Sequence, residues 1–217
     1  MEYMEENIAH SPAILFRGLP AKTAEDFTII AKASQTKCSY FGGTGYRTLI
    51  DKETGVATAT DDPPEYFIEP HNEQSYIANF PSKNVESQAK KLGYDVRWDA
   101  SGGLYVWQNR SAFLAHPVTG EKIWFNQAHS HQASYYKTWS TFADPKLPDD
   151  KYPAHTYYGD GSDIEPEVIQ HIRATSWACA VGFQWRNGDL LVLDNLAVQH
   201  ARIGFAGDRK LLACLIA

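Results

Sequence analysis

Two histidines and a glutamate most constrain how this sequence can fold, because one of the histidines lies far along the chain from the other two residues. His71 and Glu73 are separated by one residue, whereas His200 lies close to the other end. Residues two apart on an extended strand point to the same face, so the imidazole and the carboxylate would lie together. One distant histidine can then complete three ligands on one face of a metal ion. The pattern therefore predicts a fold that brings two distant parts of the chain side by side.

Two histidines and one carboxylate on one face of a metal leave three coordination positions open. Non-haem Fe(II) oxygenases use this arrangement, since the open face must hold a chelating co-substrate and dioxygen. A His-x-Glu triplet alone is weak evidence, because the chain has 8 histidines and 26 acidic residues and such triplets arise by chance. The hypothesis of an oxygenase therefore depends on the sequence around these residues.

Turn-forming residues recur at short intervals along the chain, which favours many short strands over long helices. Hairpins are predicted over residues 48–60 and 95–106, and strands over 123–125, 177–185 and Leu190–Leu193. Helices are predicted after Thr23, which forms a capping pair with Asp26, and over residues 165–173. This spacing indicates a mostly β fold with flanking helices, a double-sheeted jelly roll.

Composition limits the class of protein and of partner. A chain of 217 residues with 43% hydrophobic residues can bury a core as a single domain, residues 1–217. A net charge of -6 argues against a nucleic-acid partner. The three cysteines lack paired spacing, and no stretch is apolar enough for a membrane span. We expect a cytoplasmic enzyme that acts on a small molecule. The sequence does not indicate the oligomeric state of this enzyme.

A series of motifs in a fixed order covers nearly the whole chain. They are Ala13–Leu19, Gly42-Gly43 with Arg47, Thr58–Thr60, Pro63-Pro64, Pro70–Tyr76, His116–Gly120, Trp124–Asn126 and Trp185–Leu212. In this order the sequence resembles the TauD/TfdA family of Fe(II)- and 2-oxoglutarate-dependent dioxygenases, particularly its clavaminate-synthase-like members. An ordered set of motifs is far more specific than any one of them.

The resemblance implies a role for each matching residue. His71, Glu73 and His200 would bind Fe(II), and Arg209 would bind the distal carboxylate of 2-oxoglutarate. The resemblance also implies the jelly-roll fold, and oxidation of a small polar substrate by dioxygen with release of succinate and CO2. A guanidinium suits the role of Arg209 because its planar fork matches a carboxylate.

The sequence departs from the family at two places. Many members carry a Gly-Gly-x-Thr segment after the metal triplet, whose threonine helps to hold 2-oxoglutarate, and none is present here. Either a lid segment is left out between Lys83 and Asn84, or the lid is deleted and co-substrate binding is weaker. In addition, Ala213 stands where taurine-type members place a sulfonate-binding arginine, which argues against a sulfonate substrate.

Five further residues are predicted to contact substrate: Ser75, Tyr76, Asn126, His129 and Arg202. Two other classes of function stay open at this stage. One is a catalytically silent jelly-roll binding protein, which the absent Gly-Gly-x-Thr segment would suit. The other is a metal cupin centred on His129 and His131. Within the dioxygenase hypothesis, hydroxylation, desaturation and ring closure are all compatible with the pattern.

Overall fold

The computed structural model describes residues 2–34, 38–39, 47–73, 85–91, 93–142 and 146–216. Its helices are α1 Glu2–Ile8, α2 Ala24–Ala33, α3 Val85–Lys91, α4 Ala133–Tyr136 and α5 Pro166–Ala178, with 3-10 turns at Ser140–Phe142 and Asp149–Lys151. Its strands are β1 Ala13–Phe16, β2 Cys38–Ser39, β3 Leu49–Asp51, β4 Val56–Thr58, β5 Ile68–His71, β6 Asp95–Trp98, β7 Leu104–Trp107, β8 Phe113–Ala115, β9 Lys122–Trp124, β10 Leu190–Leu193, β11 His200–Arg202, β12 Leu212–Ala213 and β13 Leu215–Ile216. Short strands with few helices confirm the expectation of a mostly β chain.

Strands from the first third of the chain pair with strands from its last part. β1 pairs with β10, β2 with β13, β4 with β12 and β5 with β11, and every pair is antiparallel. Three of these pairs are nested, since β11, β12 and β13 join β5, β4 and β2 in reverse order. This nesting brings the two ends of the chain together, as the spacing of the candidate metal ligands requires.

The hairpins form where the turn residues indicated them. β6 and β7 pair with Val96 opposite Val106 and Trp98 opposite Leu104, which forms the hairpin predicted over residues 95–106. The Asp99 carboxylate accepts hydrogen bonds from the backbone of Ser101 and Gly103, which closes the turn. β3 pairs with β4 and β8 with β9 in the same local manner.

The helices confirm one prediction and correct another. Thr23 and Asp26 form a reciprocal capping box at the start of α2. α5 extends to Ala178, whereas a strand was predicted from residue 177. Residues 180–186 form no regular strand, so the predicted strand over 177–185 is wrong. Aromatic and β-branched residues near this point favoured a strand, but the indole of Trp177 donates to Glu69 and holds the end of the helix against β5.

A buried apolar cluster lies at α4. Ala133, Tyr136 and Tyr152 are buried there, and Phe142 and Leu147 pack against them. The neighbouring Tyr135 hydroxyl donates to the carbonyl of Phe67, immediately before β5. This cluster therefore supports the strand that carries His71. No helix in the described part of the chain is long and apolar enough to cross a membrane.

Candidate metal and co-substrate site

Strands β5 and β11 place the two candidate histidine ligands opposite each other. His200 is the cross-strand partner of His71, and their ring centroids lie 4.3 Å apart. Arg202 pairs with Ile68, so between these two pairs β5 contains one more residue than β11, which is a β-bulge. Such a bulge suits Pro70, which has no backbone N–H to give to the ladder.

The imidazoles of His71 and His200 and the carboxylate of Glu73 converge on one point. One ligand atom from each lies within 4.8 Å of the other two, and within the described ranges no other group of three acidic, histidine or cysteine side chains does so. His200 Nε2 and Glu73 Oε2 are 3.7 Å apart. Two nitrogen donors and one carboxylate on one side are the donor set of non-haem Fe(II) sites.

The backbone of β5 fixes the orientation of the first imidazole. His71 Nδ1 lies 2.8 Å from the carbonyl oxygen of Glu69, so Nδ1–H donates and Nε2 is left for a metal. Burial, and after it the nearby His200 ring, lowers the pKa of His71 to about 3. A neutral imidazole is the form that binds a cation.

A cation already neutralises Glu73 in the structure. Arg47 Nη2 lies 2.7 Å from Glu73 Oε2, and the Glu73 side chain is 6% exposed. Burial alone would raise the pKa of this carboxyl, but the hydrogen bond with His200 and the charge of Arg47 outweigh it and lower the pKa to about 2. Glu73 is therefore ionised, as a metal ligand must be.

The Arg209 guanidinium lines a small pocket beside strand β11. The pocket wall is formed by Ala59, Thr60, Arg202, Phe205, Arg209 and Leu211. The Cζ atom of Arg209 lies 4.8 Å from the centroid of the Phe205 ring. Within the described part of the chain, Arg209 makes no ion pair. Burial and the charge of Arg202 lower its pKa. A carboxylate entering this pocket would relieve the repulsion between the two guanidiniums.

Arg202, predicted to contact substrate, is engaged with backbone in this structure. Its Nη2 donates to the carbonyls of Pro63 at 2.7 Å and Tyr66 at 3.0 Å. Arg202 is buried and holds the segment before β5 against β11. Its contact with substrate stays a prediction.

The other predicted substrate residues divide into engaged and undescribed ones. Asn126 donates to the carbonyl of Ala112 and accepts from the backbone of Ala128. His129 has no exposed surface, and its Nε2 lies 2.8 Å from the carbonyl oxygen of Pro70. Ser75 and Tyr76 lie outside the described residues, as does the junction between residues 83 and 84. All four roles stay predictions.

A network of side-chain amides behind the candidate metal ligands was not predicted from the sequence. Glu73 N–H donates to Asn195 Oδ1 at 2.7 Å, and Asn195 Nδ2 donates back to the Glu73 carbonyl at 2.9 Å. Asn72 is 1% exposed, and its amide donates to the carbonyls of Asn195 and Val198. The sequence signal was Asp194-Asn195 five residues before His200, but only the fold shows that it meets the triplet.

Comparison with protein families decides what kind of chain this is. Residues 87–215 match the family model described as taurine catabolism dioxygenase TauD, TfdA family. The chain belongs to the TauD/TfdA family. The match includes His200 and Arg209 and begins after His71 and Glu73, so the convergence of His71 and Glu73 with His200 comes from the structure.

Two curated proteins are similar to this TauD/TfdA chain. It is 35% identical over 135 residues to the dapdiamide synthesis protein DdaC of Enterobacter agglomerans, covering 62% of this chain and 41% of that protein. It is 23% identical over 289 aligned positions to a clavaminate synthase-like protein of Arabidopsis thaliana, covering 98% of this chain and 84% of that protein. The chain thus spans less than half of the first relative.

The length of the second alignment bears on the absent lid. It runs over 289 positions, whereas this chain has 217 residues, so the plant protein carries segments that this chain lacks. This difference agrees with the absence of the Gly-Gly-x-Thr segment, without locating it between Lys83 and Asn84.

Proposed function

We propose that this TauD/TfdA chain is an Fe(II)- and 2-oxoglutarate-dependent dioxygenase that oxidises a small polar organic substrate, with release of succinate and CO2. The observation that carries the proposal is the convergence of His71, Glu73 and His200 within 4.8 Å. The family match supports the class of enzyme, and the donor set supports the metal.

The three side chains fit Fe(II) by their chemistry. His71 would bind through Nε2 because its Nδ1 is engaged with Glu69, and Glu73 would bind as an ionised carboxylate. His200 would complete the face from the opposite strand. When bound, the iron supplies the oxidation of 2-oxoglutarate and substrate by dioxygen. The protein holds the ligands on one side and leaves the other side for these molecules.

Arg209 would orient the co-substrate. Its guanidinium offers a carboxylate two parallel hydrogen bonds, which fix direction as well as affinity. Phe205 supports the guanidinium from one face, and Thr60 lines the same pocket. We infer that this pocket accepts the distal carboxylate of 2-oxoglutarate.

The finer architecture is also part of the proposal. Nested antiparallel pairing of β2, β4 and β5 with β13, β12 and β11 supports a double-stranded β-helix, the jelly roll, formed as one domain over residues 1–217. Such a fold holds a small ligand at one end and excludes bulk water there. A cytoplasmic location stays a prediction from the sequence.

The substrate class follows from the family and from one substitution. Ala213 lies in β12, opposite Ala57, and offers no charge to a sulfonate. The relative DdaC is named as a dapdiamide synthesis protein, and this name supports a small-molecule substrate for the present chain. Hydroxylation, desaturation and ring closure all use the same site.

A catalytically silent binding protein is the second candidate, and the length difference from the plant relative favours it. The cupin alternative has less support, because no third ligand joins His129 and His131 within the described residues. An assay that combines Fe(II), 2-oxoglutarate and air with a panel of amino acids and small polar acids separates the dioxygenase from the silent protein. Succinate formation that depends on Arg209 supports the dioxygenase, whereas metal binding without any 2-oxoglutarate turnover supports the silent protein.

A further inference from the structure

The side chain of Asn195 pairs with the backbone of Glu73 as a neighbouring strand would. Oδ1 accepts from the Glu73 N–H at 2.7 Å and Nδ2 donates to the Glu73 carbonyl at 2.9 Å. The ladder between β5 and β11 begins with the pair His71 and His200, and Glu73 lies two residues beyond it. Asn195 therefore supplies the hydrogen bonds that the ladder does not provide at this residue.

A hydrogen-bonded turn holds Asn195 in place. Asp194 Oδ1 accepts from the backbone of Leu196 at 3.0 Å and of Ala197 at 3.3 Å. Asp194 Oδ2 lies 2.8 Å from Nε2 of His116, which is 5% exposed. His116 Nδ1 in turn accepts from the backbone of Val118 and Thr119. Because both Asp194 carboxylate oxygens and both His116 ring nitrogens have partners, the turn can present the Asn195 amide in one orientation.

The middle residue of the triplet fastens the same turn from the other side. Asn72 Nδ2 donates to the Asn195 carbonyl at 2.7 Å and to the Val198 carbonyl at 3.1 Å. Asn72 thus binds the backbone of Asn195, and Asn195 binds the backbone of Glu73, the residue that follows Asn72. The turn that precedes His200 and the triplet that carries His71 and Glu73 form one hydrogen-bonded unit.

We propose that Asn195 is a positioning residue that sets the metal affinity of the site without touching the metal. Its amide fixes the backbone of Glu73 relative to His200, so that the carboxylate reaches the point where the two imidazoles meet. This inference rests on the proposed function, since it concerns the same metal site. Groups that orient metal ligands from behind contribute about 10-fold to 100-fold to affinity.

Titration of the metal-free protein with Co(II), followed by its visible ligand-field absorption without 2-oxoglutarate, tests the proposal. Asn195→Ala removes both hydrogen bonds and should weaken Co(II) binding by about 10-fold to 100-fold. Asn195→Asp keeps the shape and the acceptor but loses the donor. Its extra negative charge alone would tighten binding of a cation, so weaker binding by this variant reports lost geometry.

Asn126→Ala is the matched control. The Asn126 amide also joins two backbone segments, with Nδ2 to Ala112 at 2.9 Å and Oδ1 from Ala128 at 3.0 Å, but it contacts no metal ligand. Thermal unfolding of the metal-free proteins should show a comparable loss of stability for Asn126→Ala and Asn195→Ala. Only Asn195→Ala should lose Co(II) affinity and shift the Co(II) spectrum.

The outcomes separate the two proposals. Co(II) affinity within twofold of wild type in Asn195→Ala overturns the positioning role and leaves the dioxygenase intact. Unchanged or tighter binding by Asn195→Asp overturns it as well, and this variant decides if the alanine variant does not fold. Wild-type protein that binds no Co(II) overturns both proposals.

Discussion

His71 and His200 face each other as cross-strand partners, with ring centroids 4.3 Å apart and planes tilted by 51°. One belongs to a strand in the first third of the chain and the other to a strand near its end. Their pairing places Glu73 Oε2 3.7 Å from His200 Nε2. The geometry of the candidate metal site is therefore a direct consequence of the pairing of β5 with β11.

Replacement of His200 should remove metal binding, whereas replacement of His131 should not. His200→Ala takes one of three ligands, and we expect Co(II) affinity to fall by more than the roughly 100-fold typical of a supporting residue. His131→Ala leaves the three ligands in place. Equilibrium dialysis of both variants checks this. Retained binding in His200→Ala together with lost binding in His131→Ala would favour the cupin alternative.

Arg209→Met should weaken 2-oxoglutarate without weakening the metal. Hydrogen bonds to charged groups contribute about 1.5 to 3 kcal/mol, so the KM for 2-oxoglutarate should rise about 10-fold to 150-fold. Co(II) affinity measured without 2-oxoglutarate should not change, because Arg209 is no metal ligand. An unchanged KM would remove Arg209 from the co-substrate site.

Arg202→Met provides the contrast within the same pocket. Its guanidinium is committed to the carbonyls of Pro63 and Tyr66, so its loss should lower the free energy of unfolding, by about 1 to 3 kcal/mol. Urea unfolding of the metal-free protein measures this. If stability is retained and a substrate KM rises instead, the earlier prediction that Arg202 contacts substrate gains support.

Arg47→Met should destabilise the metal-free protein and increase the stabilisation that metal binding provides. Arg47 lies 2.7 Å from the buried Glu73 carboxylate, and an unpaired buried charge costs about 3 kcal/mol. Without this positive charge a divalent cation should bind more tightly and raise the melting temperature by more than in wild type. Differential scanning calorimetry with and without Co(II) measures both effects.

Arg17→Met is the control for that experiment. Arg17 pairs with Asp189 at 3.0 Å, and the Asp189 side chain is fully buried, but neither contacts the metal ligands. The variant should be destabilised in the same manner, but Co(II) should raise its melting temperature by no more than it does in wild type. An equal rise in melting temperature for Arg17→Met and Arg47→Met would mean that Arg47 does not compete with the metal.

The metal-free protein should lose stability as the pH falls below about 6.5. Burial, and then the nearby His129 ring, lowers the pKa of His131 to about 4, whereas the unfolded chain protonates near 6.5. Between these values the unfolded state binds more protons, so unfolding becomes easier by at most about 1.4 kcal/mol per pH unit for this group. His71 and His129 also have lowered pKa values and act in the same direction.

His131→Gln isolates one part of this dependence. The variant should show a shallower fall in unfolding free energy between pH 6.5 and pH 4, because its side chain has no proton to gain. Chemical denaturation at each pH, with a chelator present, measures the slope. An identical slope in both proteins would show that His131 does not keep its proton off in the folded state.

Local signals predicted the hairpins, whereas long-range packing decided what the sequence could not show. The register of Val96 with Val106 follows from the turn at Asp99, which lies within one short segment. The extent of α5 depends on Trp177 donating to Glu69, more than a hundred residues away. Strand propensity is a local property that carries no information on so distant a contact, so the predicted strand over 177–185 was wrong.

The candidate site divides in the same way. His71, Glu73 and His200 were predicted because their spacing and the family motifs name them. Asn195 was not, because an asparagine in a turn has many uses and only the folded chain brings its amide to Glu73. Asn126 and Arg202, which were predicted to contact substrate, are engaged with backbone, which no motif indicates.

Anaerobic addition of Fe(II) and 2-oxoglutarate, followed by visible absorption, tests the central claim most directly. Chelation of Fe(II) by 2-oxoglutarate gives a metal-to-ligand charge-transfer band only when a protein face leaves adjacent positions open. We predict this band for the wild-type protein and its loss in His200→Ala. Absence of the band from the wild-type protein, or its persistence in His200→Ala, would contradict the account.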